Sequence, residues 1–366
     1  MTAPEVRARE RILQGAARLT ARGLIARTWG NLSVRVSDTQ LLITPSGLAY
    51  EGLRAEQLVL VNIEDGSYEG SLRPSSERGI HAGAYRLRPE MNFVIHTHPY
   101  WASVAGVEGR ALTGFFHPLL GKRVPCAAYG LPGTEKLRQA VMEELAAWPD
   151  CRALLLRRHG ALCLGRDMED AFAAAEALEE VCEARVRDRL GEQPPAPVPR
   201  DLGSSRRRGD AFLLTLDGVR KSYHIGGRSL PPAAALHAAA YRAGNFQYIV
   251  HEASPAVVAA SGAVRRLRPY LDDLAQIAGA DILCVPDTPR RVEAALRTRN
   301  AVLVRGAGAL CAGGTEGDAE AVRTLLQKGC AAWLYAGELP GCRPLGGVDA
   351  RLQRLVYRQS YAKRRG

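Results

Sequence analysis

The alternation of apolar and polar positions in the first half of the chain predicts a series of helices and short strands. Apolar residues recur at helical spacing in four segments: 4–24, 76–87, 133–148 and 168–189. Short apolar runs bounded by turn residues predict strands at 32–36, 41–43, 58–63, 93–98 and 154–156, of which the first three suit an antiparallel meander. Interspersed helices and strands indicate a layered α/β domain.

A change in composition divides the chain in two. Residues 191–209 are rich in proline and arginine, and they predict a linker between a first domain at 1–190 and a second at 210–366. Beyond the linker the earlier pattern returns, because RHGALCLG at 158–165 reappears as GAGALCAG at 306–313. We therefore predict an internal duplication, whose second copy is truncated and lacks an equivalent of roughly the first 55 residues.

Two histidines on one predicted strand form the first candidate site. His96 and His98 follow three apolar residues in the run FVIHTHP, and alternate residues of a strand point to the same face. Glu77, after a Ser-Ser step, and His159, before a glycine, could supply further ligands. Three histidines and one carboxylate suit a borderline divalent cation, so we predict a metal site of the zinc type in the first domain.

The second half of the chain does not repeat this ligand set. His251 has the place of the first histidine, but Ala307 stands where the third histidine is expected and Ala233 where the glutamate is expected. We therefore predict one site per chain, in the first domain, and a second domain without a metal site. His81 and His237 recur at equivalent helix positions, which favours a packing role for both.

Bulk composition narrows the classes of function. The 366 residues are 46% hydrophobic and 24% charged, which is typical of globular proteins. The net charge of +11 comes from dispersed arginines, and only 6% of residues are aromatic, so an anionic metabolite such as a sugar phosphate is favoured over nucleic acid. The absence of a long apolar run, the charged N-terminal residues and eight singly scattered cysteines predict a cytoplasmic protein with no membrane partner.

An ordered set of motifs resembles the class II aldolase/adducin family, in particular fuculose-phosphate aldolases. The resemblance covers residues 8–190 and, in a decayed form, 210–335. It rests on TWGNLS at 28–33, TPSG at 44–47, SSE at 75–77, HTHP at 96–99, PCAAY at 125–129, GTE at 133–135 and HG at 159–160. The resemblance implies an α/β fold, a three-layer α/β/α domain with a central, mainly antiparallel sheet that is present twice, the second copy being truncated.

The resemblance also implies roles for the candidate ligands. His96, His98 and His159 would hold the metal, which polarises a carbonyl and stabilises an enediolate as a carbon–carbon bond breaks. Glu77 would complete the coordination and act as general acid or base, whereas the alternative is a helix-capping glutamate without a catalytic part. The implied function is a zinc-type lyase that cleaves a ketose phosphate by retro-aldol chemistry.

The phosphate of such a substrate is expected in turns that present hydroxyls and backbone N–H groups. The residues that the resemblance assigns to this cradle are Thr28, Gly30, Asn31, Ser46, Gly47, Ser75 and Ser76. Two plainer interpretations stay open, with Ser76 as a helix N-cap and Ser46-Gly47 as an ordinary turn.

One stretch departs from the family pattern. Where fuculose-phosphate aldolases place a proton-donating tyrosine from a neighbouring subunit, residues 113–120 read TGFFHPLL, and His117 is the candidate replacement. A dehydratase or epimerase on the same metal, or a non-catalytic adducin-like scaffold, are therefore alternatives. Because the family forms rings with sites between subunits, we expect a homo-oligomer, a dimer of tandem chains.

Overall fold

Two structural units follow one another along the chain, one up to Arg189 and the other from Leu190 onwards. The computed structural model describes residues 2–25, 29–192 and 198–360. Thr28, one of the predicted phosphate-binding residues, and the centre of the predicted linker at 193–197 lie outside the described residues. No helix in the described part of the chain combines the length and apolar character needed to cross a bilayer.

The first unit is built from alternating strands and helices, as the apolar pattern predicts. Its helices are α1 (Ala3–Ala21), α2 (Arg78–Leu87), α3 (Tyr100–Ala105), α4 (Glu135–Ala147) and α5 (Met168–Leu190). Its strands are β1 (Asn31–Arg35), β2 (Gln40–Ile43), β3 (Val59–Asn62), β4 (Phe93–Thr97), β5 (Leu112–His117), β6 (Gly121–Val124), β7 (Cys126–Ala127), β8 (Ala153–Leu156) and β9 (Gly160–Gly165).

The central sheet of this unit has the strand order β3-β2-β1-β4-β9-β8-β7, and β5 and β6 form a separate hairpin. Neighbouring strands of the sheet run antiparallel except β7 and β8, which are parallel. The register places Asn31 of β1 and Leu162 of β9 on either side of His96. The central position of β4 therefore puts the first candidate ligand in the middle of the sheet.

Helices cover both faces of the sheet, so the predicted three-layer α/β/α arrangement is confirmed. On one face, Val94 and its neighbours form a buried core with Tyr85 of α2 and Leu137 of α4. On the other face Gly15 of α1 lies so close to Phe93 that an added Cβ would be 3.2 Å from the ring. Complete burial of such side chains stabilises the unit by about 1.5–3 kcal/mol each.

The second unit repeats this plan. Its helices are α6 (Pro232–Ala243), α7 (Pro255–Ala263), α8 (Asp272–Ile277), α9 (Pro289–Leu296), α10 (Glu316–Gly337) and α11 (Gly347–Ser360). Its strands are β10 (Ser204–Arg208), β11 (Ala211–Leu216), β12 (Val219–His224), β13 (Tyr248–Glu252), β14 (Arg266–Leu267), β15 (Ile282–Val285), β16 (Ala301–Val304) and β17 (Gly308–Gly313). The sheet order β12-β11-β10-β13-β17-β16-β15-β14 extends that of the first unit by one strand.

Two expectations about this unit need correction. Residues 204–208, which we assigned to the linker at 191–209, form β10 and pair with both β11 and β13. Since β10, β11 and β12 correspond to β1, β2 and β3, the second copy retains the meander that we expected it to lack. The truncation is therefore smaller than predicted: no helix precedes β10 among the described residues from 198 on, so only a counterpart of α1 is missing there.

The missing helix explains why β10 resembles a linker in sequence. In the first unit α1 packs on Leu32, Phe93 and Met168. The corresponding residues of the second unit are Ser204, Tyr248 and Glu316, and they line an open groove. Because no helix covers this face among the described residues, polar side chains there remain hydrated, and β10 carries Ser204 and Arg206 where β1 has the apolar Leu32 and Val34.

Candidate active site

Three histidines converge at the carboxyl-terminal end of β4. His96 lies in the strand and His98 just after it, and their Nε2 atoms are 3.0 Å apart. His159 comes from the turn between β8 and β9, and its ring stacks on that of His96 with the centroids 4.8 Å apart. One ligand nitrogen from each histidine lies within 4.8 Å of the others, and all three side chains are buried.

The turn that carries His159 has an unusual backbone. Arg158 has a φ of 62°, in the left-handed region that L-residues seldom adopt. At the equivalent place in the second unit stands Gly306, with a φ of 71°, for which this conformation costs little. The first unit thus keeps a non-glycine residue in a strained position directly before a candidate ligand, which is where such strain is often found.

Glu77 completes the cluster from the helix side. It occupies the N-cap position of α2, yet its side chain makes no capping hydrogen bond, so the predicted alternative of side-chain capping by Glu77 is wrong. Ser76, the other candidate, does not take the N-cap position. The Glu77 Oε1 atom lies 3.0 Å from His159 Nε2, and Oε2 lies 3.2 Å from His96 Nε2. The carboxylate therefore faces two of the three histidines.

The hydrogen bond behind His96 shows which nitrogen is available to a metal. Its Nδ1 atom lies 2.9 Å from the carbonyl oxygen of Ala161, which can only accept, so Nδ1 carries the hydrogen. The Nε2 lone pair then points into the cluster. Burial lowers the pKa of His96, although Glu77 opposes the shift.

The negative charge of Glu77 also suits the binding of a cation. Burial alone would raise the pKa of this carboxyl group, but His96, His159 and a hydrogen bond from Asn31 outweigh burial and hold the pKa well below its usual range. The cluster thus offers three imidazole nitrogens and one ionised carboxylate. This donor set fits a borderline divalent cation such as zinc.

A line of buried hydrogen bonds connects Glu77 to side chains outside the histidine cluster. Asn31 Nδ2 donates to Glu77 Oε2 over 2.9 Å, and Asn31 Oδ1 accepts from His81 Nε2. His81 Nδ1 lies 2.7 Å from Ser33 Oγ, and burial lowers the pKa of His81 to about 3, so the ring is neutral. The sequence indicated only packing for His81, although its spacing of four residues from Glu77 on one helix could have revealed the link.

The predicted phosphate cradle is brought together from separate loops. Ser75 N–H donates to the carbonyl oxygen of Thr44 over 3.1 Å, and Ser46 N–H donates to that of Arg73 over 2.9 Å. These bonds tie the turn at 44–47 to the segment before α2. In this cradle Ser46 and Gly47 are half-buried, Ser75 is buried and Ser76 is exposed.

The loop that leads into β1 lies directly beside the histidine strand. Gly30 has a φ of 107°, and an added Cβ would lie 2.8 Å from the carbonyl oxygen of His96. Tyr50 donates its hydroxyl hydrogen to the carbonyl oxygen of Gly30 over 2.8 Å. Asn31 is buried, and its side chain is hydrogen-bonded to Glu77 and His81. The family resemblance placed Asn31 in the phosphate cradle and did not predict this contact with the carboxylate.

His117 lies apart from the histidine cluster within one chain. It ends β5, its Nδ1 atom accepts from the N–H of Leu119 over 3.1 Å, and its Nε2 atom lies 4.0 Å from Glu180. The contacts described for this chain do not connect it to the three clustered histidines. A part for His117 in catalysis stays a prediction.

The corresponding place in the second unit is closed by hydrogen bonds. His251 Nε2 lies 2.6 Å from the carbonyl oxygen of Ala307, and Nδ1 accepts from the N–H of Leu202 over 3.2 Å. Across the described ranges, the group suited to a metal is that of the first unit.

Comparison with known proteins gives matches over both halves of the chain. A family model described as "Class II Aldolase and Adducin N-terminal domain" matches residues 10–186 and again residues 205–334. A 5-methylthioribulose-1-phosphate/5-deoxyribulose-1-phosphate aldolase of Rhodospirillum rubrum is 34% identical over 186 residues, which are 50% of this chain and 82% of that protein. A 5-deoxy-D-ribulose 1-phosphate aldolase of Bacillus thuringiensis is 35% identical over 47% of this chain and 80% of its own length.

Two further similarities concern fuculose phosphate aldolases. The L-fuculose phosphate aldolase of Escherichia coli is 31% identical over 52% of this chain and 87% of its own length. A solved structure of an L-fuculose 1-phosphate aldolase aligns with 54% of this chain and 92% of its own, at 27% identity and a TM-score of 0.46.

Proposed function

The chain belongs to the class II aldolase and adducin family, and we propose that its first unit is a zinc-type, metal-dependent lyase that cleaves a ketose phosphate by retro-aldol chemistry. The observation that carries the proposal is the contact of an ionised Glu77 with two buried histidines, His96 and His159, beside a third, His98. The named relatives are aldolases of ketose 1-phosphates, which supports a substrate of the same class.

The residues of the cluster would divide the work as follows. A divalent cation held by the three histidines and Glu77 supplies Lewis-acid stabilisation of the negative charge that develops on substrate oxygens. In the cleavage direction Glu77 would donate a proton to the substrate carbon that loses its carbon–carbon bond. Because His96 and His159 hold its pKa low, the carboxylate must leave these contacts as the substrate enters, so that it can take up from solvent the proton that it then delivers.

The anionic end of the substrate would bind in the loops beside the cluster. The hydroxyl groups of Ser46, Ser75 and Ser76 and the backbone N–H groups of Gly47 and Ser76 form the cradle in this proposal, with Gly30 allowing close approach of the chain. His117 from a neighbouring chain would handle the proton of the hydroxyl group whose carbon becomes the aldehyde. A dimer of tandem chains in the cytoplasm is part of the same proposal.

Product analysis tests the function. Purified protein is incubated with a panel of ketose 1-phosphates and ketose 5-phosphates, and products are identified by mass spectrometry and a dihydroxyacetone-phosphate assay. Release of dihydroxyacetone phosphate from a 1-phosphate is the expected result. Loss of water from the substrate, or inversion at one carbon without cleavage, would instead assign a dehydratase or an epimerase.

Light scattering tests the assembly independently of the reaction. A mass of two chains is expected, and a monomer would contradict the proposed dimer.

A further inference from the structure

We propose that His81 is a positioning residue of the active site: through Asn31 it sets the orientation of the Glu77 carboxylate toward the metal ligands. The inference rests on the proposed function in so far as that function gives Glu77 its task. It concerns a side chain for which the sequence indicated only a packing role.

The directions of the hydrogen bonds in this line follow from the amide of Asn31. Its NH₂ group lies 2.9 Å from Glu77 Oε2 and donates to that oxygen. The oxygen of the Asn31 amide then faces His81, and an amide oxygen only accepts. His81 must therefore carry its hydrogen on Nε2.

The other nitrogen of His81 is held in the complementary state. A neutral ring protonated at Nε2 has a bare Nδ1, which accepts from Ser33 Oγ at 2.7 Å. Tyr85 backs up this contact, since its hydroxyl lies 2.9 Å from Ser33 Oγ and 2.9 Å from the Ser33 carbonyl oxygen. These contacts with Asn31 and Ser33 of β1 fix both the tautomer and the orientation of the imidazole, which projects from α2.

Because these residues are buried, loss of one hydrogen bond in the line has a large cost. His81 is fully buried and Asn31 nearly so, which means that water cannot replace a lost partner at little cost. If the Nε2 donor is removed, the Asn31 amide can rotate and present its oxygen to Glu77. Two oxygens would then repel each other, and the carboxylate would turn away from the histidines.

The second unit separates this role from ordinary packing. There Ser205 Oγ lies 2.7 Å from both His237 Nδ1 and the Tyr241 hydroxyl, which reproduces the arrangement of the first unit. His237 Nε2, however, donates to the backbone carbonyl of Leu202 over 2.8 Å. Only in the half that has the ligands does the line continue through a side-chain amide to a carboxylate.

This duplication supplies a matched control. The terminal nitrogen of glutamine reaches the position of imidazole Nε2, whereas the terminal group of asparagine reaches that of Nδ1. His81→Gln therefore keeps the donor to Asn31, and His81→Asn keeps only the contact with Ser33. The same pair of changes at His237 has equal packing consequences but no carboxylate at the end of the line.

The test is titration of the full-length, metal-stripped chain with Co²⁺, followed by its visible absorption spectrum. His81→Asn should weaken Co²⁺ binding by about 10–100-fold and change the spectrum, as loss of a group that orients a ligand does. His81→Gln should restore both, and His237→Asn should leave both as in the unchanged protein. A wild-type affinity and spectrum for His81→Asn would overturn the inference, as would an equal change in His237→Asn.

A second variant tests the same inference if His81→Asn does not fold. Asn31→Ala removes the same link and leaves the contacts among Ser33, His81 and Tyr85 in place, so it must reproduce the loss of Co²⁺ affinity. Because these readouts need no substrate, they stand apart from the proposed reaction. Altered Co²⁺ binding without any aldolase product would overturn the proposed function alone, whereas wild-type protein that binds no Co²⁺ would overturn both.

Discussion

The Nδ1 atom of His96 and the carbonyl oxygen of Ala161 are 2.9 Å apart, across the pairing of β4 with β9. The backbone of one strand thereby selects the tautomer of a histidine on the next, and the Nε2 lone pair faces His98 and Glu77. A ligand that is oriented before the metal arrives loses less conformational freedom on binding.

Removal of the two strand histidines should abolish metal binding. His96→Ala/His98→Ala leaves one imidazole and one carboxylate, too few to hold a zinc ion against dialysis. Elemental analysis should find about one zinc per chain in the unchanged protein and less than about a tenth of that in the variant. His251→Ala, in the second unit, is the control and should keep the full zinc content. Equal zinc content in the double variant and the unchanged protein would contradict the assignment of His96 and His98 as metal ligands.

Neutralising Glu77 should affect the reaction more than the fold. Glu77→Gln keeps an oxygen that accepts from Asn31 but removes the charge and the basic group, so kcat for cleavage should fall about 10²–10⁴-fold. The rate is measured by release of dihydroxyacetone phosphate, and circular dichroism checks the fold. A variant with activity within threefold of the unchanged protein would show that Glu77 takes no part in proton transfer.

Acid should destabilise the second unit through His237. Burial lowers the pKa of this residue to about 4 in the folded protein, against an ordinary value of 6.5, while its bond to Leu202 opposes the shift. Between these values the unfolded chain binds the proton and the folded unit does not, so stability is full above about pH 6.5 and is lost as the pH falls toward 4. The contribution is about 3 kcal/mol at most.

Hydrogen exchange resolved on peptides of α6 measures this effect separately from the first unit. The free energy of opening, after correction for the chemical exchange rate, should decrease between pH 6.5 and pH 4.5. His237→Gln, which cannot take up a proton, should flatten the dependence. An unchanged slope in that variant would assign the acid sensitivity to other groups.

Glycine at position 160 should be indispensable for the placement of His159. A Cβ there would overlap the carbonyl oxygen of Thr97, on the neighbouring strand next to His96. Gly160→Ala must therefore push β9 away from β4, and we expect a loss of about 1–3 kcal/mol in stability together with weaker metal binding. Chemical unfolding and metal content measure the two effects.

A second glycine serves as its control. Gly317 lies in α10 with open space around the added atom, so Gly317→Ala should be neutral or stabilise the chain by up to about 1 kcal/mol. If both alanine variants behave alike, the close approach of Gly160 to Thr97 is not what constrains this position.

Local pattern was enough to predict much of this protein. The period of two in FVIHTHP put His96 and His98 on one face, because strand geometry is set by the backbone alone. The ordered motifs led to the family and the three-layer fold, both confirmed, and the repeat of 158–165 at 306–313 led to the duplication.

Other features depend on what packs against a segment. Ser204–Arg208 resembles a charged linker in sequence, yet it is a central strand whose backbone is satisfied by hydrogen bonds to β11 and β13. Because no helix among the described residues covers one face of the strand, Arg206 and Arg208 remain exposed there. Periodicity could not reveal this, since apolar patterning reports a covered face and this face is open.

By itself the sequence determined the candidate ligand residues, through residue type and spacing, and the fold class, through the alternation of apolar positions and the family resemblance. Only the tertiary structure decided how His81, Asn31 and Glu77 are connected, because hydrogen-bond partners come from β1 and α2, nearly fifty residues apart, and depend on how these elements pack. The same packing separates His81 from His237: two histidines in similar local sequences differ in role, because the first is hydrogen-bonded to an amide that contacts a carboxylate and the second to a backbone carbonyl.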